Sequence, residues 1–235
     1  MNVSTQMIEV PAEGGTMPAC LARLESTEAT PAVVLIQEAF GLNEHIRDVA
    51  RRIAAEGYVV LAPDMFWRGG KARTAGYAEL PKALGLMGEL KDDQIVADVG
   101  SAIGYLERQA FVRADRIGIT GFCMGGRVSY LAACKLPGKL KAAAPFYGGG
   151  IPVGETAGLA APVLAFFGED DPFIPLAQVE QLKAEAKRLG KQLEVIVYPK
   201  APHGFFCNER DSYRAPAAAD AWTRLKAFFA AHLAA

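Results

Sequence analysis

Short apolar runs rich in β-branched residues alternate along this chain with longer stretches in which apolar residues recur every three to four positions. A strand covered on both faces reads as the first kind of run, and a helix lying on a sheet reads as the second. The alternation therefore predicts strand–helix–strand units around a mostly parallel central sheet flanked by helices. Residues 33–36, 58–62, 116–120, 163–167 and 193–198 read as central strands. Helix is predicted over 43–56, where Ile46, Val49, Ala50 and Ile53 share one face and Asn43 is placed to cap the first turn. Further helices are expected at 93–108, 124–135, 175–189 and 216–233.

Two weaker strand candidates, 6–10 and 17–24, flank the turn-forming Glu13-Gly14-Gly15 and predict an antiparallel hairpin at one edge of the sheet. Residues 66–90 hold several glycines and few strand or helix signals, so they read as a loop or cap over a site. There is no repeat, linker or low-complexity tract. With 235 residues, 51% of them hydrophobic, the expectation is a single α/β domain over 1–235.

Charge narrows the partner. Twenty-five basic residues against 26 acidic ones leave no basic footprint for nucleic acid, so a small-molecule partner is expected. The N-terminal segment lacks the basic start and apolar stretch of a signal peptide, and no apolar run reaches the ~18 residues of a membrane helix. A cytosolic protein is expected, with no membrane contact; a monomer is compatible with the sequence, which leaves the oligomeric state open. Cys20, Cys123, Cys134 and Cys207 are scattered without metal-ligand spacing, so neither a metal nor a disulfide framework is expected.

The chemistry concentrates at Gly121-Phe122-Cys123-Met124-Gly125-Gly126, between a predicted strand and a predicted helix. This is G-x-nucleophile-x-G in its proper context, the sharp turn by which an α/β-hydrolase fold presents its nucleophile above the sheet. The Met124 N–H at the helix start can receive an oxyanion there. Of the three histidines, His232 lies near the C-terminus of an alanine-rich helix, where a surface role is expected. His45 lies in a first helical turn, where capping or packing is expected. His203 follows the last predicted strand inside Pro199-Lys200-Ala201-Pro202-His203-Gly204 and is the candidate base. The order nucleophile, acid, histidine then places the acid in Gly168-Glu169-Asp170-Asp171-Pro172, where position alone does not choose among three carboxylates. After the strand at 33–36, Gln37-Glu38-Ala39-Phe40-Gly41 supplies the Ala39 N–H as second oxyanion donor and places Glu38 unusually close in sequence to it.

These segments, with Gly57-Tyr58-Val59-Val60-Leu61-Ala62-Pro63-Asp64, Phe146-Tyr147-Gly148 and His203-Gly204-Phe205, make the chain resemble the dienelactone hydrolase family over nearly its whole length. The resemblance implies a cofactor-free esterase or lactonase with a Cys123–His203–Asp171 triad, and so selects Asp171. It also implies that Glu38 holds the resting thiol and takes its proton when substrate binds. The family's named enzyme grips its substrate carboxylate with arginines, one of them four residues after the catalytic histidine. Here that position is Cys207. Candidate substrate contacts are Phe40, Arg73, Lys82, Phe205 and Arg210. The expected function is hydrolysis of a small ester or lactone through a thioester. The alternatives are a glutaminase-like amidase and a catalytically silent thiol sensor or ligand-binding protein on a hydrolase fold.

Overall fold

The computed structural model describes residues 2–70 and 73–234. Its eight strands are β1 (Val3–Ala12), β2 (Gly15–Leu24), β3 (Thr30–Ile36), β4 (Val59–Pro63), β5 (Val112–Phe122), β6 (Ala142–Phe146), β7 (Val163–Gly168) and β8 (Leu193–Tyr198). The helices are α1 (Glu44–Ala55), α2 (Leu80–Gly88), α3 (Asp92–Glu107), α4 (Met124–Lys135), α5 (Leu176–Arg188) and α6 (Ala215–Leu233). Within the sheet the order is β1-β2-β4-β3-β5-β6-β7-β8. The chain forms two compact units, 1–118 and 119–235.

In the first unit the predicted hairpin is present and longer than its apolar core. β1 and β2 pair antiparallel from Val3 with Leu24 to Ala12 with Gly15, and Gly14 turns the chain at a φ of 88°. β2 continues antiparallel onto β4, which pairs parallel with β3. Helix α1 starts where Asn43 accepts the Ile46 N–H at 3.1 Å, and it buries Ile46, Val49, Ala50 and Ile53. Each large aliphatic side chain so buried contributes about 1.5–3 kcal/mol. Helix α3 buries Ile95, Val99, Ala102, Ile103 and Leu106 on one face.

Residues 66–90 are not a plain loop. They contain a 3₁₀ turn, Trp67–Gly69, and helix α2, with Pro81 in its first turn; Lys71 and Ala72 lie outside the described residues. The segment is tied down through the buried Asp98 of α3, which accepts from Trp67 Nε1 at 2.9 Å and Arg68 Nη2 at 2.7 Å.

In the second unit β6, β7 and β8 are parallel neighbours. β6, Ala-Ala-Ala-Pro-Phe, escapes strand prediction because alanine carries no β-branched signal. β8 is an edge strand rather than a central one, with four of its six residues only partly buried. Phe122, Phe146, Phe166 and Phe206 stack through the core of this unit, with ring centroids 4.3–5.2 Å apart between neighbours. Among the described residues no helix is long and apolar enough to cross a membrane.

Candidate active site

Strand β5 ends at Phe122 and helix α4 begins at Met124, so the whole change of direction falls on Cys123. Its φ of 55° and ψ of −117° lie in a region that a residue with a Cβ rarely adopts. The turn survives because its backbone is pinned on both sides. The Cys123 N–H donates to the Phe146 carbonyl at 3.1 Å, and the Gly126 N–H donates back to the Cys123 carbonyl at 2.9 Å.

Glycine is required close by. A Cβ on Gly126 would stand 2.3 Å from the Phe146 carbonyl oxygen, and one on Gly148 would stand 2.6 Å from the Arg127 nitrogen. The start of α4 thus packs backbone against backbone on the residues that follow β6. Met124 is the first residue of that helix, where the N–H has no acceptor within the helix. Cys123 itself is only partly buried, unlike Cys20, Cys134 and Cys207.

Two loops of the same unit bring the other groups. The acid loop after β7 and the histidine loop after β8 are joined by backbone hydrogen bonds, Glu169 N–H to Tyr198 carbonyl at 2.9 Å and Asp170 N–H to Ala201 carbonyl at 3.1 Å. Gly168 permits the approach, since a Cβ there would lie 2.2 Å from the Ala201 oxygen. Lys200 sits at a φ of 56°, with its N–H donating to Glu169 Oε2 at 3.1 Å. Glu169 and Asp170 are exposed, whereas Asp171 is buried. One Asp171 oxygen accepts the Phe173 N–H at 2.9 Å, and the other lies 2.7 Å from His203 Nδ1. Of the three adjacent carboxylates, only Asp171 meets the imidazole.

Burial opposes a charged His203, but its hydrogen bonding to Asp171 and Cys123 and the negative charge on those partners outweigh it, and the imidazole is pushed up to about 9. Cys123 and Asp171 therefore both act on the same imidazole. Two aromatic rings meet the imidazole edge to face, Tyr147 at 5.1 Å and Phe173 at 5.2 Å. Sequence reasoning gave neither ring a role. Phe173 follows directly on Asp171-Pro172, and the residue is 61% exposed.

The remaining predicted residues divide between the units. In the second, Phe205 is buried against Tyr147 and Tyr198, and the Arg210 guanidinium packs over Gly204, at a φ of 76°. In the first, Glu38 and Ala39 are buried just past β3, and Phe40 meets Tyr77 edge to face at 4.7 Å. Arg73 is engaged bidentately by Glu89 at 2.5 and 2.8 Å, and Lys82 lies 3.5 Å from Glu79. His45 is buried, and His232 is partly buried against Phe228.

The dienelactone hydrolase family model matches residues 17–233. A Synechocystis sp. protein with the name "Putative carboxymethylenebutenolidase" is 36% identical over 247 residues, covering 99% of this chain and 99% of the relative. The crystal structure of a "Putative Dienelactone Hydrolase" from Klebsiella pneumoniae is 34% identical, covers 98% of this chain and 99% of its own, and has a TM-score of 0.90. A dienelactone hydrolase-like promiscuous phosphotriesterase from metagenomic libraries is 26% identical, with 99% of each chain covered and a TM-score of 0.87.

Proposed function

Because this chain belongs to the dienelactone hydrolase family, we propose that it hydrolyses a small carboxylic ester or lactone, with Cys123 as nucleophile, His203 as acid–base and Asp171 orienting the histidine. The observation that carries this reading is the contact of Asp171 with His203 Nδ1 at 2.7 Å, on an imidazole that Cys123 of the same unit also helps to raise. With Nδ1–H fixed on the carboxylate, Nε2 is the nitrogen left to serve the thiol.

The Cys123 thiol gives its proton to His203 as its sulfur attacks the carbonyl carbon, and the oxyanion is received by the Met124 N–H. As the tetrahedral centre collapses, the C–O bond breaks and the leaving alkoxide takes the proton held by His203. Water then gives a proton to His203 and attacks the thioester, the C–S bond breaks, and the thiolate released takes that proton from His203, which returns the site to its first state.

The test is a panel of lactones and activated esters incubated with the intact chain, followed by mass measurement of the trapped protein. An acyl increment on Cys123, absent from Cys123→Ala, is expected. Turnover retained by Cys123→Ala overturns the assignment.

A further inference from the structure

Asp64 ends the segment Gly57 to Asp64, takes no part in the triad, and is only 4% exposed. Its Oδ1 accepts the Phe66 N–H at 3.0 Å, and the residue lines a groove of about 870 Å³ in the first unit. Burial raises this carboxyl above the usual carboxylate range, partly offset by the Phe66 N–H and the Arg73 charge. It is thus suited to hydrogen-bonding a neutral hydroxyl.

Arg47, from α1, lines the same groove. Its Nε is buried and, among the described residues, has no hydrogen-bond partner. The other charged groups of the wall are mostly committed. Glu44 pairs with Arg51 at 2.6 Å, and Glu79 accepts the Gly76 N–H at 2.7 Å and lies 3.5 Å from Lys82. Glu9 adds a further carboxylate, so the wall carries four acidic groups (Glu9, Glu44, Asp64, Glu79) against two basic ones (Arg47, Lys82). That balance disfavours a dianion such as phosphate more than a monoanion, and because Glu44 and Glu79 are already paired and Asp64 is pushed toward its neutral form, a single carboxylate can still meet the guanidinium.

We propose that this groove binds a small hydroxycarboxylate, its carboxylate on Arg47 and its hydroxyl on Asp64. Lactone hydrolysis releases compounds of this class, so the groove takes a reaction product. That last link rests on the function proposed above; the binding itself does not.

The experiment is calorimetric titration of the full chain with 6-hydroxyhexanoate, with hexanoate and 1,6-hexanediol as probes that each lack one group. Wild type and Cys123→Ala should bind 6-hydroxyhexanoate equally, which separates the groove from the triad. Arg47→Met should weaken binding about tenfold or more, the usual cost of losing a hydrogen bond to a charged group, while p-nitrophenyl acetate hydrolysis stays unchanged. Arg47→Lys should fall between the two. Asp64→Asn should shrink the advantage of 6-hydroxyhexanoate over hexanoate. No detectable binding to wild type overturns the proposal, as does equal affinity in Arg47→Met or hexanoate binding as tightly as its hydroxylated partner. If the Arg47→Met circular dichroism shows a folding defect, Arg47→Lys and Asp64→Asn decide the matter.

Discussion

Removing the Cys123 side chain should reveal how much strain the turn stores, if alanine and glycine are compared at that position. Both substitutions delete the thiol, so lost contacts to His203 cancel between them and the backbone remains as the difference. At an ordinary helix or strand position Gly is less stable than Ala by about 0.5–1 kcal/mol. At φ 55° and ψ −117° the alanine Cβ keeps the strain that glycine escapes, and strain of this kind costs about 1–3 kcal/mol. The difference predicts that Cys123→Gly is more stable than Cys123→Ala by up to about 2.5 kcal/mol. For a chain of 235 residues that is a Tm higher by up to about 10 °C. The assay is paired thermal and urea unfolding. Ala184→Gly, at an exposed position of α5, serves as the control and should show the ordinary order. An alanine variant at 123 that proves the more stable of the pair would refute a strained nucleophile turn.

Asp171→Asn should lower kcat by about 10⁴-fold, the effect of the wrong histidine tautomer in a serine triad, and exposed Asp170→Asn should leave it nearly unchanged; steady-state kinetics on an activated ester distinguishes them. Gly126→Ala should destabilise the chain by at least about 1–3 kcal/mol, because the new Cβ meets the Phe146 carbonyl oxygen at 2.3 Å, and urea unfolding would show a lowered midpoint. The His203 imidazole is raised from its ordinary 6.5 to about 9, so its stabilising contribution is full below about 6.5 and disappears as pH rises through 9. Tm measured across that window should fall in wild type and fall less in Asp171→Asn; an equal slope in both would count against the pair.

What could be read from the sequence follows from which signals are local. β3, β4, β5, β7 and β8 are written in Val, Ile, Leu and Phe, and their residues appear as strand wherever such runs occur. β6 is not, because Ala142, Ala143 and Ala144 favour helix in isolation, and they become strand through parallel pairing with β7. Helix α2 is hidden by Gly85 and Gly88, although Pro81 in the first turn is the sort of start a helix accepts. The edge position of β8 has no sequence mark at all. Val195, Ile196 and Val197 resemble a central strand, and only the order of pairing places them at the end.

The active-site residues show the same boundary between local and long-range information. Cys123 is announced by the glycines that its turn demands, and His203 by the irregular loop that carries it. The acid is different, because Glu169, Asp170 and Asp171 are chemically alike and adjacent. Their separation is made by a pairing between loops about thirty residues apart in sequence. Once the Glu169 and Asp170 amides are bound to the Tyr198 and Ala201 carbonyls, the chain turns at Asp171 and sends that carboxylate inward. The Phe173 N–H then holds one of its oxygens and leaves the other for the imidazole. The same turn brings the Phe173 ring against the imidazole. The acid and an aromatic neighbour of the base are thus positioned together by a contact that no single segment encodes.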